Sequence, residues 1–219
     1  MRFKIHNPLD ENWYADPEAR FYNRKYYIYV THSLPYEQQK NHTCFISEDL
    51  THWEKKENII DMSGFPWVWR ATWAPTIEEK DGKYYLYYCL DFLKEIGVAV
   101  CDTPDGQYVF HGHVHYADGT VWGRRKGDEF PFDPGVLVDD DNRVYIYCGF
   151  ERSFLAELNS ENMYEVLDDT CIEHFIPIEK REEDGFTEKN TFFFEAASPR
   201  KIGDTYYMIY SPQERNSRL

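Results

Sequence analysis

The sequence lacks long apolar stretches and is poor in basic residues. Nowhere do about eighteen apolar residues follow one another, and the first residues contain no apolar run of signal-peptide length. We therefore expect a soluble chain that is not exported and stays in the cytoplasm. With 24 Lys and Arg against 39 Asp and Glu, the net charge of −15 opposes binding to nucleic acid or to an anionic membrane. A neutral ligand such as a sugar is compatible with this charge.

Paired cysteine motifs are also absent. The cysteines are odd in number and far apart, with no C-x-x-C pair: Cys44, Cys89, Cys101, Cys148 and Cys171. Cys89 and Cys148 follow Tyr-rich segments at equivalent places, so we expect these two to be small core residues in a reducing compartment, rather than members of disulfides or catalytic thiols.

Helical periodicity is nearly absent, and Tyr-rich strand patterns recur in its place. The reference tyrosines are spaced by 58, 60 and 62 residues: Tyr27, Tyr85, Tyr145 and Tyr207. The second copy predicts a β-hairpin, because Asp81-Gly82 supplies the positive φ that a tight turn between twisted strands needs. A proline precedes each tyrosine by eight to eleven residues: Pro17, Pro75, Pro134 and Pro199.

This repeat predicts the fold class. A period near sixty residues, built from strands and turns, is typical of a radial β array in which each repeat is one propeller blade of about four strands. We therefore predict an all-β fold of the β-propeller type, as a single domain over residues 1–219. The alternative is a two-sheet sandwich, whose turns come roughly every 8–12 residues without a longer repeat superimposed.

Carboxylates recur at one position of the predicted blades. The first strand of every blade lines the propeller axis, and its leading end faces one mouth of the channel. Counted back from the reference tyrosines, Asp16 lies 11 residues before, and Trp73, Asp133 and Glu195 each lie 12 before. Converging carboxylates repel one another, which pushes their pKa values apart. Acid/base hydrolysis requires that separation, with one carboxyl protonated and one ionised.

The neighbours of these carboxylates predict their roles. Proline follows Asp16 and Asp133, which predicts an extended backbone at each aspartate. Three phenylalanines precede Glu195, and apolar surroundings favour the protonated form, so Glu195 is the better candidate for the acid. The alternative is that these are ordinary turn and strand residues. Any one of the three carboxylates alone would be interpreted as a structural residue. Their equivalent positions in three repeats favour a catalytic site.

Three other segments have both functional and structural interpretations. His111, His113 and His115 face one side of a strand, which makes a metal site conceivable. No acidic or Cys partner stands at ligand spacing, and we favour an edge strand with exposed imidazoles. The aromatic loop at residues 64–70 is either core or a surface for stacking a sugar. The acidic triplet at residues 139–141 is expected to be a hairpin tip rather than a Ca²⁺ loop.

At these positions the sequence resembles glycoside hydrolase family 43, the five-bladed propeller enzymes that act on arabinofuranosides and β-xylosides. The resemblance spans essentially the whole chain and rests on four motifs in order: Ala15-Asp16-Pro17-Glu18-Ala19-Arg20-Phe21-Tyr22, Arg70-Ala71-Thr72-Trp73-Ala74-Pro75, Phe132-Asp133-Pro134 and Phe194-Glu195-Ala196-Ala197-Ser198-Pro199. It implies an inverting mechanism, with Asp16 as general base, Glu195 as general acid and Asp133 tuning the pKa and orientation of the acid. Its sugar-pocket positions correspond to Trp73 and Arg70, and Trp13 is a further substrate-binding candidate.

The C-terminus departs from the family pattern. Five periods need around 300 residues, so we expect the end of blade four and all of blade five to be missing. The family's fifth blade brings an axial His, often beside a cation; no residue here corresponds to it, and no cofactor is expected to be required. The open propeller edge is expected to drive self-association. The implied ligand is a pentose-containing oligosaccharide, which the chain either hydrolyses or, as a catalytically silent propeller, only binds.

Overall fold

The computed structural model describes residues 9–61, 64–65, 71–91, 94–176 and 191–214. Within them the regular structure is β-strand, apart from short 3₁₀ turns such as Tyr36–Gln38. This composition confirms the predicted all-β class. A helix of the length and apolarity needed to cross a membrane does not occur in these residues.

The chain divides into two compact units. The first comprises Met1–Asp91 and Val98–His111, and the second comprises Phe92–Gly97 and Gly112–Leu219. Four sheets, made largely of antiparallel hairpins, account for the described strands. The Tyr-rich segments predicted from the repeat form the second strand of each hairpin.

The first sheet corresponds to the first predicted blade and has the strand order β1-β2-β3-β4. Its strands are β1 (Tyr14–Tyr22), β2 (Lys25–His32), β3 (His42–Ser47) and β4 (Glu54–Lys56). The turn between β1 and β2 is formed by Asn23 and Arg24, whose φ values are +50° and +64°. Left-handed residues at both turn positions match the twist of the flanking strands.

The second sheet corresponds to the second predicted blade and has the order β5-β6-β7-β8. Its strands are β5 (Thr72–Lys80), β6 (Lys83–Leu90), β7 (Ile96–Cys101) and β8 (Val109–His113). Asp81 and Gly82 have φ values of +52° and +76°, which confirms the predicted hairpin turn. Tyr84 and Tyr88 of β6 share a buried cluster with Tyr29 of β2, so the recurring tyrosines supply much of the core.

The remaining two sheets lie largely in the second unit. The third has the order β10-β11-β12-β13-β9, with β14 paired to β12, and the fourth is the hairpin β15-β16. Their strands are β9 (His115–Tyr116), β10 (Gly135–Val138), β11 (Val144–Gly149), β12 (Ser153–Leu158), β13 (Glu165–Val166), β14 (Ile172–Glu173), β15 (Thr191–Ile202) and β16 (Thr205–Glu214). The triplet at residues 139–141 is a hairpin tip, as predicted, since the Asn142 N–H donates to the Asp139 carbonyl at 2.9 Å.

The two cysteines predicted to lie in the core are buried. Cys89 and Cys148 thus confirm the prediction, and Cys44 is buried as well. Burial raises the pKa of the Cys44 and Cys148 thiols, so these thiols stay protonated. Cys101 is half-buried and Cys171 is exposed.

In each of the four sheets, the first strand of the blade or the segment just before it contains a residue in the left-handed backbone conformation. These residues lie at equivalent places. The φ values are +52° at Asp16, +50° at Ala74, +49° at Asp133 and +61° at Ala196. Three of these residues lie where the pairing register shifts, within β1, β5 and β15. The predicted extended backbone at Asp16 and Asp133 was therefore wrong. Both aspartates instead adopt the left-handed conformation, which the short polar side chain of aspartate tolerates better than most others.

These bulges also correct the predicted alignment of the blades. Asp16 and Asp133 occupy the left-handed position itself, whereas Trp73 and Glu195 each precede it by one residue. Since a bulge interrupts the alternation of side chains along a strand, neighbouring residues can project to the same side. Counting residues from the tyrosines therefore places Glu195 correctly only to within one position.

A buried histidine in β3 makes stability depend on pH. His42 is 0% exposed, and neither of its ring nitrogens has a hydrogen-bond partner among the residues that the structure describes. Burial lowers the pKa of His42 to about 4, and the nearby carbonyl of Val30 offsets this only in part. The unfolded chain, by contrast, takes up the proton near pH 6.5.

The substitution His42→Leu is expected to weaken the pH dependence of unfolding. Because the folded pKa lies below the unfolded one, stability falls as the pH drops from about 6.5 to about 4 and then levels off. Between about pH 7 and pH 5 this residue contributes a loss of about 2 kcal/mol. Urea unfolding at both pH values measures the difference between the two proteins. The control Ile46→Val, in the same strand, should lower the free energy of unfolding by the same amount at both pH values. If the free energy of unfolding of His42→Leu depends on pH as strongly as that of the wild type, the prediction is contradicted.

Candidate functional site

Asp16 lies in the bulge near the leading end of β1 and is exposed. Its Oδ2 accepts a hydrogen bond from the Ala74 N–H at 3.3 Å, and the same N–H donates to Thr31 Oγ1 at 2.9 Å. Ala74 is the left-handed residue in the bulge of β5. The first strand of the second blade therefore orients the carboxylate carried by the first.

Buried ionic side chains join β1 to β5. A terminal nitrogen of Arg20 lies 2.8 Å from Glu18 Oε1 and 3.0 Å from Glu78 Oε1, and Arg20 Nε donates to the Ile77 carbonyl at 2.6 Å. Burial alone would lower the pKa of Arg20, but the charges of Glu78 and Glu18 outweigh it and raise the pKa. These contacts fix the strand that carries Asp16 against its neighbour. Sequence reasoning missed them, although charged residues at alternate positions of β1 were a signal.

Trp73 is half-buried at the start of β5, and the connection between β2 and β3 holds its ring. The indole N–H donates to Gln39 Oε1 at 2.6 Å, and Gln39 Nε2 donates to the Leu34 carbonyl at 2.5 Å. Tyr36 packs edge-on against Trp73, with ring centroids 6.3 Å apart. Neither Gln39 nor Tyr36 was predicted, because both lie in an irregular segment without a repeat pattern.

The other two candidates for substrate binding stay predictions. Trp13 is 82% exposed, and its carbonyl accepts a hydrogen bond from the Ser33 N–H at 3.1 Å. Arg70 lies outside the described residues, as does the rest of the aromatic loop at residues 66–69. Phe65 at the start of that loop is buried in the cluster of the first unit, which favours the core interpretation for this one ring.

Asp133 and Glu195 lie in the second unit, on segments that approach each other closely. Asp133 is 6% exposed, and Glu195 is half-buried in β15. Gly135 follows Asp133 by two residues, and a Cβ placed on it would lie 2.0 Å from the carbonyl oxygen of Ala197. Ala197 in turn follows Glu195 by two residues. The two segments therefore touch at Gly135 and Ala197, and each predicted catalytic residue lies two positions before that contact.

The turn between β11 and β12 binds both of these segments. The Gly149 N–H donates to the Phe132 carbonyl at 2.9 Å, and the Glu151 N–H donates to the Phe194 carbonyl at 2.7 Å. Between them, Phe150 packs on Phe132 and Phe194, with ring centroids 5.8 and 4.9 Å apart. Phe132 and Phe194 directly precede the two carboxyl-bearing residues.

Charged groups hold the other end of β15. Lys201 Nζ lies 2.5 Å from Asp139 Oδ1 and 2.8 Å from Asp140 Oδ2, and the Tyr206 hydroxyl donates to Asp139 Oδ2 at 2.5 Å. Lys201 and Tyr206 lower the pKa of Asp139 to about 2. The hairpin tip thus anchors the strand that carries Glu195, a role that the sequence did not indicate.

The predicted histidines lie on or near an edge strand, but they are half-buried rather than exposed. β8, which carries His111 and His113, ends its sheet order. His113 and His115 meet edge-on, with ring centroids 5.8 Å apart. His115 Nδ1 lies 2.7 Å from the carbonyl oxygen of Tyr116, so that ring nitrogen is already engaged.

A different group has the ligand types of a cation site. Within the described part of the chain, a histidine and two carboxylates bring their ligand atoms to within 4.8 Å of one another: Glu129, Glu173 and His174. Arg152 lies 3.2 Å from Glu129 and already supplies a positive charge there.

Comparisons with known proteins show which family the sequence matches. A family model described as Glycosyl hydrolases family 43 matches residues 5–217. A xylosidase/arabinosidase of Thermoclostridium stercorarium is 36% identical over 96% of this chain and 48% of its own length. The chain spans about half the length of the curated relatives that it matches most fully.

Solved structures show the same fold. An α-L-arabinofuranosidase from Clostridium thermocellum has a TM-score of 0.68 and 25% identity, over 93% of this chain and 65% of that one. The GH43_1 enzyme from Xanthomonas citri, complexed with xylose, has a TM-score of 0.70 and 23% identity, over 93% and 68% of the two chains. These likenesses confirm the predicted fold class, all-β of the five-bladed propeller type.

Proposed function

The chain belongs to the glycosyl hydrolases of family 43, and we propose on that basis that it is a glycosidase cleaving α-L-arabinofuranosides or β-D-xylosides with inversion. The observation that carries the proposal is the carboxyl pair of the second unit. Asp133 is buried and Glu195 half-buried, each two residues from a shared backbone contact. The name of the Thermoclostridium relative and the xylose bound by the Xanthomonas enzyme support a pentoside substrate.

In the proposed reaction, protonated Glu195 gives its proton to the glycosidic oxygen as the bond to the anomeric carbon breaks. Ionised Asp16 takes a proton from a water molecule that attacks that carbon from the opposite face. The new bond forms on the side away from the leaving group, so the anomeric configuration inverts. Solvent then restores the proton on Glu195 and removes the one on Asp16.

The surroundings of Glu195 suit the role of acid. Phe192, Phe193 and Phe194 are all buried, and an apolar environment disfavours the charged form of a carboxyl. The negative charge of Asp133 nearby would raise the affinity of Glu195 for its proton further. Trp73, whose ring orientation is held by Gln39, is proposed to line the sugar pocket.

Hydrolysis of 4-nitrophenyl α-L-arabinofuranoside and 4-nitrophenyl β-D-xyloside tests the proposal. Turnover well above that of a Glu195→Ala variant supports it, and proton NMR of the first sugar released should show the inverted anomer. A wild-type rate equal to that of the variant contradicts the proposal for this chain. Binding of xylo-oligosaccharides without turnover would instead favour a catalytically silent carbohydrate-binding propeller.

We also propose that β16 mediates self-association. Its apolar side chains are exposed, among them Tyr207 and Ile209, and exposed apolar strands of this kind pair with other chains. Ile209→Lys is expected to shift the protein toward monomer in sedimentation velocity at tens of micromolar concentration. Ile172→Lys, an equally exposed isoleucine in β14, should leave the distribution unchanged. A wild-type protein that stays monomeric at every concentration contradicts this proposal.

A further inference from the structure

The strands that carry Asp133 and Glu195 need a connection that the sheets do not provide. β10 follows Asp133, and β15 contains Glu195, but the two strands belong to different sheets. No ladder of backbone hydrogen bonds joins them among the described strands. The spacing of the two carboxyls therefore depends on the packing of Gly135 against Ala197 and on contacts made by other segments.

The turn at residues 149–152 makes these contacts on both sides. Its backbone N–H groups donate one hydrogen bond to the carbonyl of Phe132 and one to the carbonyl of Phe194. These two phenylalanines directly precede Asp133 and Glu195. Phe150 at its centre packs on the rings of the same two phenylalanines. Each carboxyl-bearing residue thus has a neighbour whose backbone and side chain both contact this turn.

The conformation of the turn is specified by its own sequence. Gly149 has a φ of +143°, and a Cβ there would lie 1.8 Å from the carbonyl oxygen of Arg152. Only glycine fits such a position. Glu151 is also left-handed, with a φ of +61°. A backbone held this way presents the N–H groups of Gly149 and Glu151 in fixed directions, which suits a rigid link between the two segments.

We propose that Phe150 is a positioning residue, which sets the distance between the Asp133 and Glu195 carboxyls by holding the two segments together. This proposal rests on the proposed function, because the distance between the two carboxyls matters for the role of Glu195 as the acid. Phe150 does not itself contact the reacting atoms. It acts through Phe132 and Phe194.

The spacing has a chemical consequence. The repulsion between two carboxylates falls with distance, and it is this repulsion that keeps a proton on one of them. For carboxylates roughly 5 Å apart, at an effective dielectric constant of about 20, moving them by about 1 Å changes the pKa of the acid by roughly half a pH unit. Losing the Phe150 contacts lets the two segments move apart and should therefore weaken the coupling of the two titrations.

The direct test measures this coupling without requiring activity. The side-chain carboxyl carbons of ¹³C-labelled Asp and Glu are titrated by NMR, with Glu195 assigned by Glu195→Gln. The coupling is the difference in the Glu195 midpoint between the wild type and Asp133→Asn, measured again in a Phe150→Ala background. We expect Phe150→Ala to reduce the coupling by roughly half a pH unit or more. Phe150 is 39% exposed, so its truncation should be tolerated by the fold.

Two further variants serve as controls for the titration. Phe150→Leu keeps a large apolar side chain and should retain most of the coupling. Phe175→Ala removes another half-buried ring of the same unit, one that packs on Tyr147, and should leave the coupling unchanged. A coupling in Phe150→Ala equal to that of the wild type overturns the proposal, as does a wild type in which the two carboxyls titrate independently.

Kinetics separate this proposal from the proposed function. If the wild type turns over pentosides faster than Glu195→Ala, Phe150→Ala should lower kcat by about ten- to a hundredfold with little change in KM. The basic limb of its pH profile should move to lower pH, which a merely structural loss would not cause. If the wild type is no faster than Glu195→Ala, the proposed function fails, and the titration alone still decides the role of Phe150.

Discussion

Glu195→Gln is expected to lower kcat about 10²–10⁴-fold on xylobiose and on arabinose-substituted oligosaccharides, but much less on 4-nitrophenyl glycosides. A sugar alkoxide leaves poorly unless it is protonated, whereas nitrophenolate is a stable anion and needs little help. The glutamine side chain keeps the size of Glu195 but carries no acidic proton. Steady-state kinetics on both kinds of substrate measure the contrast.

The matched control for this substitution is Glu161→Gln, which removes an exposed carboxylate of the same unit. It should leave both rates close to those of the wild type. Equal losses of kcat on natural and nitrophenyl substrates in Glu195→Gln would show that the residue does not act as a proton donor.

Asp16→Gly is expected to slow all substrates equally, by about 10²–10⁴-fold, because the base acts on water whatever the leaving group. Azide should restore turnover, since it attacks the anomeric carbon without needing to lose a proton. The C–N bond forms as the C–O bond breaks, so the product is a glycosyl azide of inverted configuration. Glycine tolerates the φ of +52° at this position, which argues that the variant folds.

A matched control exists at the turn between β5 and β6. Asp81 has the same φ of +52° and a side chain that is exposed, so Asp81→Gly makes the same chemical change at a comparable backbone position. Its activity should equal that of the wild type, with no response to azide. An Asp16→Gly variant that keeps wild-type activity, or that yields no glycosyl azide, contradicts the assignment of the base.

The blades could be predicted from the sequence because their signals are local. The Asp81-Gly82 turn and the Tyr-rich strand after it follow from turn chemistry and β propensity over a dozen residues. The repeated spacing then predicts that the same hairpin occurs elsewhere, and β11 and β16 follow from that alone. Asp16, Asp133 and Glu195 were predicted as site residues because they recur, to within one residue, at one position of this repeat.

The parts that sequence reasoning missed depend on residues distant along the chain. The left-handed backbone at Asp16 and Asp133 departs from the usual preference of a residue before proline. The ion pair of Arg20 with Glu78 links two blades, and Phe150 contacts Phe194 through a turn with no repeat signal. Single-sequence patterns carry no information about which distant segments meet.

Several expectations stay predictions. These are the catalytic roles of Asp16, Asp133 and Glu195, the roles of Trp13 and Arg70, the single domain over residues 1–219, the cytoplasmic location and the lack of a cofactor requirement. The first of them depends on the relative positions of Asp16 and Glu195, on which the proposed inverting reaction rests.

The most direct test of this account is a crystal structure of the protein with a bound pentose. We expect the carboxyl groups of Asp16 and Glu195 to lie about 6.5–9.5 Å apart on opposite faces of the sugar, the separation that leaves room for the attacking water. Asp133 should lie beside Glu195 and away from that water. A structure in which any of the three carboxyls points away from the sugar, or in which Asp16 and Glu195 are much farther apart, would contradict the proposed hydrolysis.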